Sequence, residues 1–367
     1  MTNPVTTYLQ ERIDAGDFPS AVFLVGNGDE VVLSGALGNA VVEPEIIAAS
    51  ENTIYDLASL TKPLVTGLLV ALFIERGTIS LDHKISAHLG EFDIEGKRMI
   101  TVRDLAAHTS HLPAWVPFYL LSDDPAVIVS RIALLDLEYG VEKVVYGDPN
   151  FIVLGALLER LSGVTLDELA ENEIFAPLGL KDTYFNPPAS EKRRIAANER
   201  GNGFERAMCI EKGFEADKYA FRRDITWGQV HDGNAFFMGG VAGHAGLFST
   251  AYEVFVLARQ FLAGTSQLLE PETCRLFIED LTPGANEARS LAFQLGSTPS
   301  STAGPDLSPE SFGHLGFTGT SVWIDPVTER SYILLTNRTH HHDMPFANIN
   351  SVRRRFHELS VEHSHNG

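Results

Sequence analysis

Apolar and polar positions along this chain fall into two kinds of run. Near one end, Ala21–Val25 and Val31–Ser34 are short apolar runs separated by Gly26-Asn27-Gly28-Asp29. Asn and Gly both tolerate positive φ, so this segment predicts a β-hairpin. A second pair of runs, Thr320–Ile324 and Tyr332–Thr336, flanks Asp325-Pro326 near the other end. The two pairs predict one antiparallel sheet assembled from both ends of the chain. Between them the period changes. Ser59–Arg76 is almost continuously apolar after Pro63 and stops at Gly77, which predicts a helix buried on every side. Asn150–Ser162, ended by Gly163, predicts another. Thr165-Leu166-Asp167-Glu168 and Thr250-Ala251-Tyr252-Glu253 read as capping boxes opening further helices, and Arg353–Leu359 as a closing helix against the sheet. Residues 283–310, rich in Pro, Ser, Thr and Gly, read as a loop.

The order of elements is helix, hairpin, long helical stretch, strands, helix. It predicts an α+β fold: an antiparallel sheet built from both chain ends and flanked by helices, with an α-rich region inserted between them. The expected division is 1–62 plus 290–367 for the sheet part and 63–289 for the insertion.

Composition narrows the function. The 367 residues carry a formal net charge of -20, which repels nucleic acid and anionic lipid, so neither is expected as a partner. Two cysteines, Cys209 and Cys274, make no disulfide framework and have no zinc-ligand spacing, so they read as buried or idle thiols. Met1–Asp14 shows no basic segment followed by an apolar one, and the longest apolar run, Leu64–Ile74, is shorter than the ~20 residues a bilayer needs. The expectation is a cytoplasmic protein. His340-His341-His342-Asp343 is a poor metal candidate, because adjacent loop histidines rarely converge on one ion. No metal and no cofactor are expected.

The chemistry starts at Ser59-Leu60-Thr61-Lys62. Ser59 is the one serine with a lysine three positions on, a spacing that puts hydroxyl and amine on one helix face. In a first helical turn, free N–H groups favour an oxyanion. The same helix end and an apolar setting should lower the amine's pKa and make it a base. Tyr146-Gly147-Asp148-Pro149-Asn150 is a tight turn able to project a tyrosine hydroxyl. Gly313-His314-Leu315-Gly316-Phe317-Thr318-Gly319-Thr320 leads into a strand, and glycines there permit close approach of another backbone, such as a substrate's. Each motif alone also has a purely structural reading.

Together and in this order they resemble the serine β-lactamase and penicillin-binding-protein superfamily, most of all its class C branch with esterases and D-alanyl-D-alanine carboxypeptidases. The likeness extends to Ile100–Leu105, His108-Thr109-Ser110 and the glycine-rich Gly239–Thr250, and spans roughly residues 15 to 340. The resemblance implies that Ser59 attacks a carbonyl, that Lys62 and Tyr146 handle its proton, with either as the base, and that the N–H groups of Ser59 and Phe317 form an oxyanion hole. It implies substrate contacts from Asp148, His314 and Gly316. His108 and His111 read as packing or loop residues, and His231-Asp232 beside Asn234 as supporting structure.

Two departures shape the substrate. Asp148 stands where the family has Asn, and an ionised carboxylate cannot donate a hydrogen bond. His314-Leu315-Gly316 replaces Lys-Thr-Gly, removing a permanent cation suited to a substrate carboxylate. The expected function is therefore an esterase or amidase acting on a small ester, amide or peptide, with a D-alanyl-D-alanine peptidase or β-lactamase as the alternative within enzymes. A non-catalytic binding module on the same fold is the alternative of another class.

Overall fold

The computed structural model describes residues 3–140 and 143–366. Seven antiparallel strands form the main sheet. In chain order they are β1 (Ser20–Asn27), β2 (Glu30–Val41), β3 (Ile47–Ala48), β7 (Gln294–Leu295), β8 (Phe312–Leu315), β9 (Ser321–Asp325) and β10 (Arg330–Thr336). Three short strands, β4 (Tyr55–Asp56), β5 (Tyr184–Phe185) and β6 (Leu247–Ser249), make a second sheet in the order β4-β6-β5. The order in the main sheet is β3-β2-β1-β10-β9-β8-β7, so β1 and β10 join the two chain ends at its centre. The fold is the α+β arrangement read from the sequence, with helices on both faces.

Strand alternation explains the two faces. Successive side chains point to opposite sides of a sheet. Val22, Leu24, Val322, Ile324, Ile333 and Leu335 enter the large core shared with the internal helices. Their neighbours Ala21, Phe23, Val25, Trp323, Tyr332 and Leu334 enter a smaller core under the terminal helices Pro4–Asp14 and Asn350–Asn366, against Val5, Leu9, Val352 and Phe356. The hairpin turn is Gly28-Asp29, between the paired Asn27 and Glu30, with Gly28 at φ +56°. The helices end where the glycines foretell: Gly77 and Gly163 sit at φ +69° and +78°.

The buried helix after Ser59 is less regular than its pattern suggests. It opens as a 3-10 turn over Ala58–Leu60, continues as a π-helical turn over Lys62–Gly67, and becomes α-helical only at Leu68–Glu75. Pro63 supplies no N–H to the ladder at this point. The stretch Ala58–Glu75 is long and apolar enough to pass for a membrane span, but 83% of it is buried within the fold.

The two expected capping boxes are not completed. Thr165 makes no side-chain cap; the Leu166 N–H goes to Glu159 Oε1 at 2.9 Å instead. Thr250 does cap the Glu253 N–H, but the Glu253 carboxylate turns away to take the N–H groups of Lys181 and Asp182 and the hydroxyl of Thr183. A tertiary demand outcompetes the local one. The complete box lies at Thr101 and Asp104. The 283–310 loop also contributes the short edge strand β7.

Gly155 and Gly243 bring the Asp148–Ser162 helix against the glycine-rich loop before β6. A Cβ on Gly243 would lie 2.1 Å from the Phe151 carbonyl oxygen and 3.1 Å from Gly155 Cα. Gly243→Ala should therefore push the loop off this helix and destabilise the fold by about 1–3 kcal/mol, read as a lower urea midpoint at unchanged m-value.

Candidate active site

Ser59 sits in the turn between β4 and the buried helix, and other segments hold that turn from several directions. Ala58 carries φ +49°, a left-handed conformation unusual for a residue with a Cβ. Asp56 Oδ1 secures it by accepting the Ala58 N–H at 2.9 Å, while Asp56 Oδ2 accepts the His231 N–H at 2.7 Å. From the sheet, Thr318 and Thr320 donate their hydroxyls to the carbonyls of Asp56 (2.7 Å) and Leu57 (3.0 Å). The β8–β9 turn is thus fastened directly to the segment bearing Ser59. Neither the Ser59 N–H nor the Phe317 N–H has a hydrogen-bond acceptor among the described residues. Both residues line one cavity of about 580 Å³.

Lys62 is fully buried, and its ammonium meets three acceptors. It donates to Ser59 Oγ at 3.0 Å, to Asp148 Oδ1 at 2.7 Å and to the His244 carbonyl at 3.2 Å. Burial opposes its charge, but Asp148 and the hydroxyl of Tyr146 outweigh burial and hold the amine above its ordinary pKa. This reverses the expectation that the helix end and apolar setting would neutralise it. Asp148, expected to meet the substrate, instead faces the amine from 86 residues away in sequence.

Tyr146 is packed among charged and aromatic groups. Lys62 Nζ and the Arg289 guanidinium each lie 5.1 Å from its ring centroid, and His108 and His314 flank it at 4.6 and 5.6 Å. His108 does more than fill space: its Nδ1 accepts the Gly147 N–H at 3.1 Å and fixes the turn that presents Tyr146. Ser110 donates to Asn150 at 2.5 Å on the same helix start.

His314 lies on β8 and lines the cavity. Its Nδ1 faces the Leu315 carbonyl at 3.0 Å, and its Nε2 has no partner among the described residues. Burial, then the charges of Lys62 and Arg289, push its pKa well below the ordinary value, so the imidazole is neutral. Gly316 also lines the cavity, but the space beside its Cα belongs to the protein. A Cβ there would lie 2.0 Å from Thr320 Oγ1 and 2.5 Å from the Leu57 carbonyl oxygen. Gly313 is likewise closed off by the Trp323 ring and the Val322 carbonyl. These glycines let the fold approach itself, where the sequence suggested room for a substrate backbone.

The structure also supplies cavity residues that the sequence did not suggest. Trp115, Phe204 and Met208 add apolar surface beside the expected Phe317. Glu205, Arg289, Arg338 and Arg353 add charge. Arg353, on the Asn350–Asn366 helix, donates to the carbonyls of Gly316 and Thr320 and to Asn350 Oδ1. Burial and the like charge of Arg338 push its pKa down to about 9. No linear motif marks these positions.

His231 and Asp232 serve different neighbours. His231 Nε2 meets Glu199 at 2.8 Å, while Asp232 pairs with His244 Nε2 at 2.9 Å. Asn234 braces the Val116 and Phe118 backbone, and His111 packs on Tyr139. His340 is fully engaged with Val42 and Asn198. Cys209 and Cys274 are buried and free. Asp148, Asp232 and His244 each bring one metal-ligating atom within 4.8 Å of the others, but the Lys62 ammonium already provides the cation on Asp148.

Comparisons with known proteins give likenesses over nearly the whole chain. A family model described as Beta-lactamase matches residues 5–353. A protein of Escherichia coli (strain K12) named as a candidate D-alanyl-D-alanine carboxypeptidase is 31% identical, over 92% of this chain and 82% of its own length. Among solved structures, a class C β-lactamase from Rhodobacter sphaeroides superposes with a TM-score of 0.74 at 19% identity, covering 99% of this chain and 100% of that one. EstCE1, a hydrolase with promiscuous acyltransferase activity, superposes with a TM-score of 0.71 at 20% identity, covering 97% of both chains. At these identities the two structures speak for the fold.

Glu205 gives a test of the cavity's electrostatics. Its carboxyl is buried, accepts from Tyr119 and the Gly233 N–H, and lies near Asp232. Burial first, then the Asp232 charge, raises its pKa to about 7. The folded state therefore binds this proton more tightly than the unfolded chain. The resulting stabilisation is complete below the unfolded pKa of about 4.5 and is lost as pH rises to about 7. Glu205→Gln should flatten a fall in stability on the order of 3 kcal/mol across that window, measured by urea unfolding at a series of pH values.

Proposed function

The chain belongs to the β-lactamase family of serine hydrolases, and from that premise we propose that it cleaves an ester or amide through a covalent acyl-Ser59 intermediate, as an esterase-type enzyme. The observation that carries this reading is Lys62 Nζ at 3.0 Å from Ser59 Oγ, fully buried beside Asp148 and Tyr146. The Ser59 oxygen attacks the substrate carbonyl carbon. The Lys62–Tyr146 pair takes the hydroxyl proton and later delivers it to the leaving group. The pair must first hold one proton fewer than when fully protonated. Asp148 favours the ammonium on Lys62, so the acceptor at that moment is the Tyr146 oxygen. The N–H groups of Ser59 and Phe317, without acceptors in the fold, receive the carbonyl oxygen as it gains charge. Water then attacks the acyl-enzyme by the same proton route in reverse.

The ester preference rests on the groups around this core. His314, at a position where the family pattern has a lysine or a histidine, is neutral, and the Asp148 charge is engaged by Lys62. The apolar wall of Trp115, Phe204, Met208 and Phe317 suits a neutral acyl group. A second reading, a D-alanyl-D-alanine-type peptidase or a β-lactamase, is favoured by Arg353. This buried guanidinium lines the cavity, has no acidic partner among the described residues, and could meet a substrate carboxylate.

Intact-mass measurement after incubation with an activated short-chain ester should show one acyl adduct, or turnover, for the wild type and neither for Ser59→Ala. Tyr146→Phe should lower kcat by about 10²–10⁴-fold, the usual worth of a positioned acid–base group. No adduct and no turnover in a folded wild type would point to a binding module.

The two substrate readings separate on p-nitrophenyl butyrate against a peptide ending in D-Ala-D-Ala. The ester should be the better substrate, and Arg353→Met should change its KM by less than about twofold. Preferred cleavage of the peptide, lost in Arg353→Met, would establish the second reading instead.

A further inference from the structure

Three places in the glycine-rich loop are sewn to the nucleophile helix. Thr66 donates its hydroxyl to the Gly243 carbonyl at 2.7 Å, Lys62 donates to the His244 carbonyl at 3.2 Å, and the Leu247 N–H goes to Thr61 Oγ1 at 3.1 Å. The loop has positive φ at Gly239, Gly240 and Gly246, and between these glycines the small side chains of Ala242 and Ala245 enter an apolar cluster. His244 adds a polar tie. It is 1% exposed, and its Nε2 meets Asp232 Oδ1 at 2.9 Å. Asp232 is fixed in turn, because the same oxygen accepts the Ala235 N–H at 2.7 Å as the N-cap of the Gly233–Phe237 helix.

We propose that the Asp232–His244 pair is a positioning element for the active-site lysine. It anchors the peptide whose carbonyl is the third acceptor of Lys62, and it sets a second anion beside Asp148 that keeps Lys62 an ammonium. The proposal rests on the hydrolase reading above. An ammonium has three N–H donors, and in a buried site each needs an acceptor. Ser59 and Asp148 supply two, and the His244 peptide supplies the third. Asp232 contributes charge as well, lying with Asp148 and His244 inside one 4.8 Å cluster. Although burial opposes it, the His244 contact and the Ala235 N–H keep the Asp232 carboxyl below the usual range, and Lys62 adds to this. His244 does not line the cavity, so its effect on the rate has to pass through its neighbours.

The charged and titratable groups around this corner are Asp148, Tyr146 and Arg289 on the Lys62 side, with His108 and His314 neutral. On the Asp232 side they are Glu205, Asp56, Arg222 and the His231–Glu199 pair. None of them changes in the variants that test the idea.

The experiment is the pH dependence of kcat/KM on an activated ester, normalised to the fraction of enzyme labelled at Ser59, for wild type, Asp232→Asn, His244→Gln and His244→Ala. Asp232→Asn keeps the acceptor for His244 and removes only the charge. It should move the alkaline break in kcat/KM down by about one pH unit. His244→Ala should lower kcat about tenfold or more with KM changed less than about twofold, as expected when a group acts through placement of another. His244→Gln, which can still donate to Asp232, should recover most of that loss. An unmoved alkaline break in Asp232→Asn, together with a loss in His244→Ala no larger than its loss of folded enzyme, would overturn the proposal and leave the pair a structural contact. A folded wild type never labelled at Ser59 would overturn the hydrolase reading, and this proposal with it.

Discussion

A buried ammonium organises this protein. Taking a charged amine out of water costs several kcal/mol unless close, well-oriented partners replace the lost hydration. Lys62 obtains them from three separate segments: Ser59 in its own helical turn, Asp148 at the start of the Asp148–Ser162 helix, and the His244 carbonyl in the glycine-rich loop. Each segment must reach the same point to within a few tenths of an ångström. The close glycine contact between Gly155 and Gly243, the capped helix that fixes Asp232 and the ties from Thr61 and Thr66 all serve that convergence. A lysine held this way is a donor and a fixed positive charge. In the mechanism proposed above, the proton is carried by Tyr146, whose turn is fixed by His108.

The sheet contributes the other half of the site by the same means. Its β8–β9 turn is attached to the segment bearing Ser59 through Thr318 and Thr320, and Arg353 and Arg338 grip the turn's carbonyls from behind. The proposed oxyanion donors, Ser59 and Phe317, belong to two elements 258 residues apart in sequence yet joined by direct hydrogen bonds. Because both N–H groups are left without acceptors in the fold, the site carries preorganised dipoles that need no rearrangement when charge develops on a substrate oxygen. The left-handed Ala58 beside Ser59 is the conformational cost of that arrangement, and Asp56 holds it in place.

Much of this was legible in the chain. Short apolar runs at both ends marked the central strands, and the Gly26–Asp29 segment marked the hairpin, whose turn is Gly28-Asp29. Gly77 and Gly163 marked helix ends that the structure places at positive φ. The Ser59/Lys62 spacing put hydroxyl and amine in contact even though the helix there is a 3-10 turn running into a π turn. Local signals failed where a distant group competed for the same atoms. Glu253 left its capping box for the 181–183 backbone, and the Leu166 N–H took Glu159 in place of Thr165. The glycines of the His314 segment were read as room for a ligand, and they turned out to admit Thr320, Leu57 and Trp323.

By itself the sequence determined the apolar runs, the chain-breaking positions and the short-range pair of Ser59 and Lys62, because these depend on residues a few positions apart and on backbone geometry that is the same in every protein. Tertiary structure alone decided the charge on Lys62, the neutrality of His314, the pairing of Asp232 with His244 and the presence of Arg353 in the cavity. Those properties come from burial and from Coulomb interactions over a few ångströms between groups tens to hundreds of residues apart. Such energies depend on distance in space and on the local dielectric, and neither is written in the order of the residues.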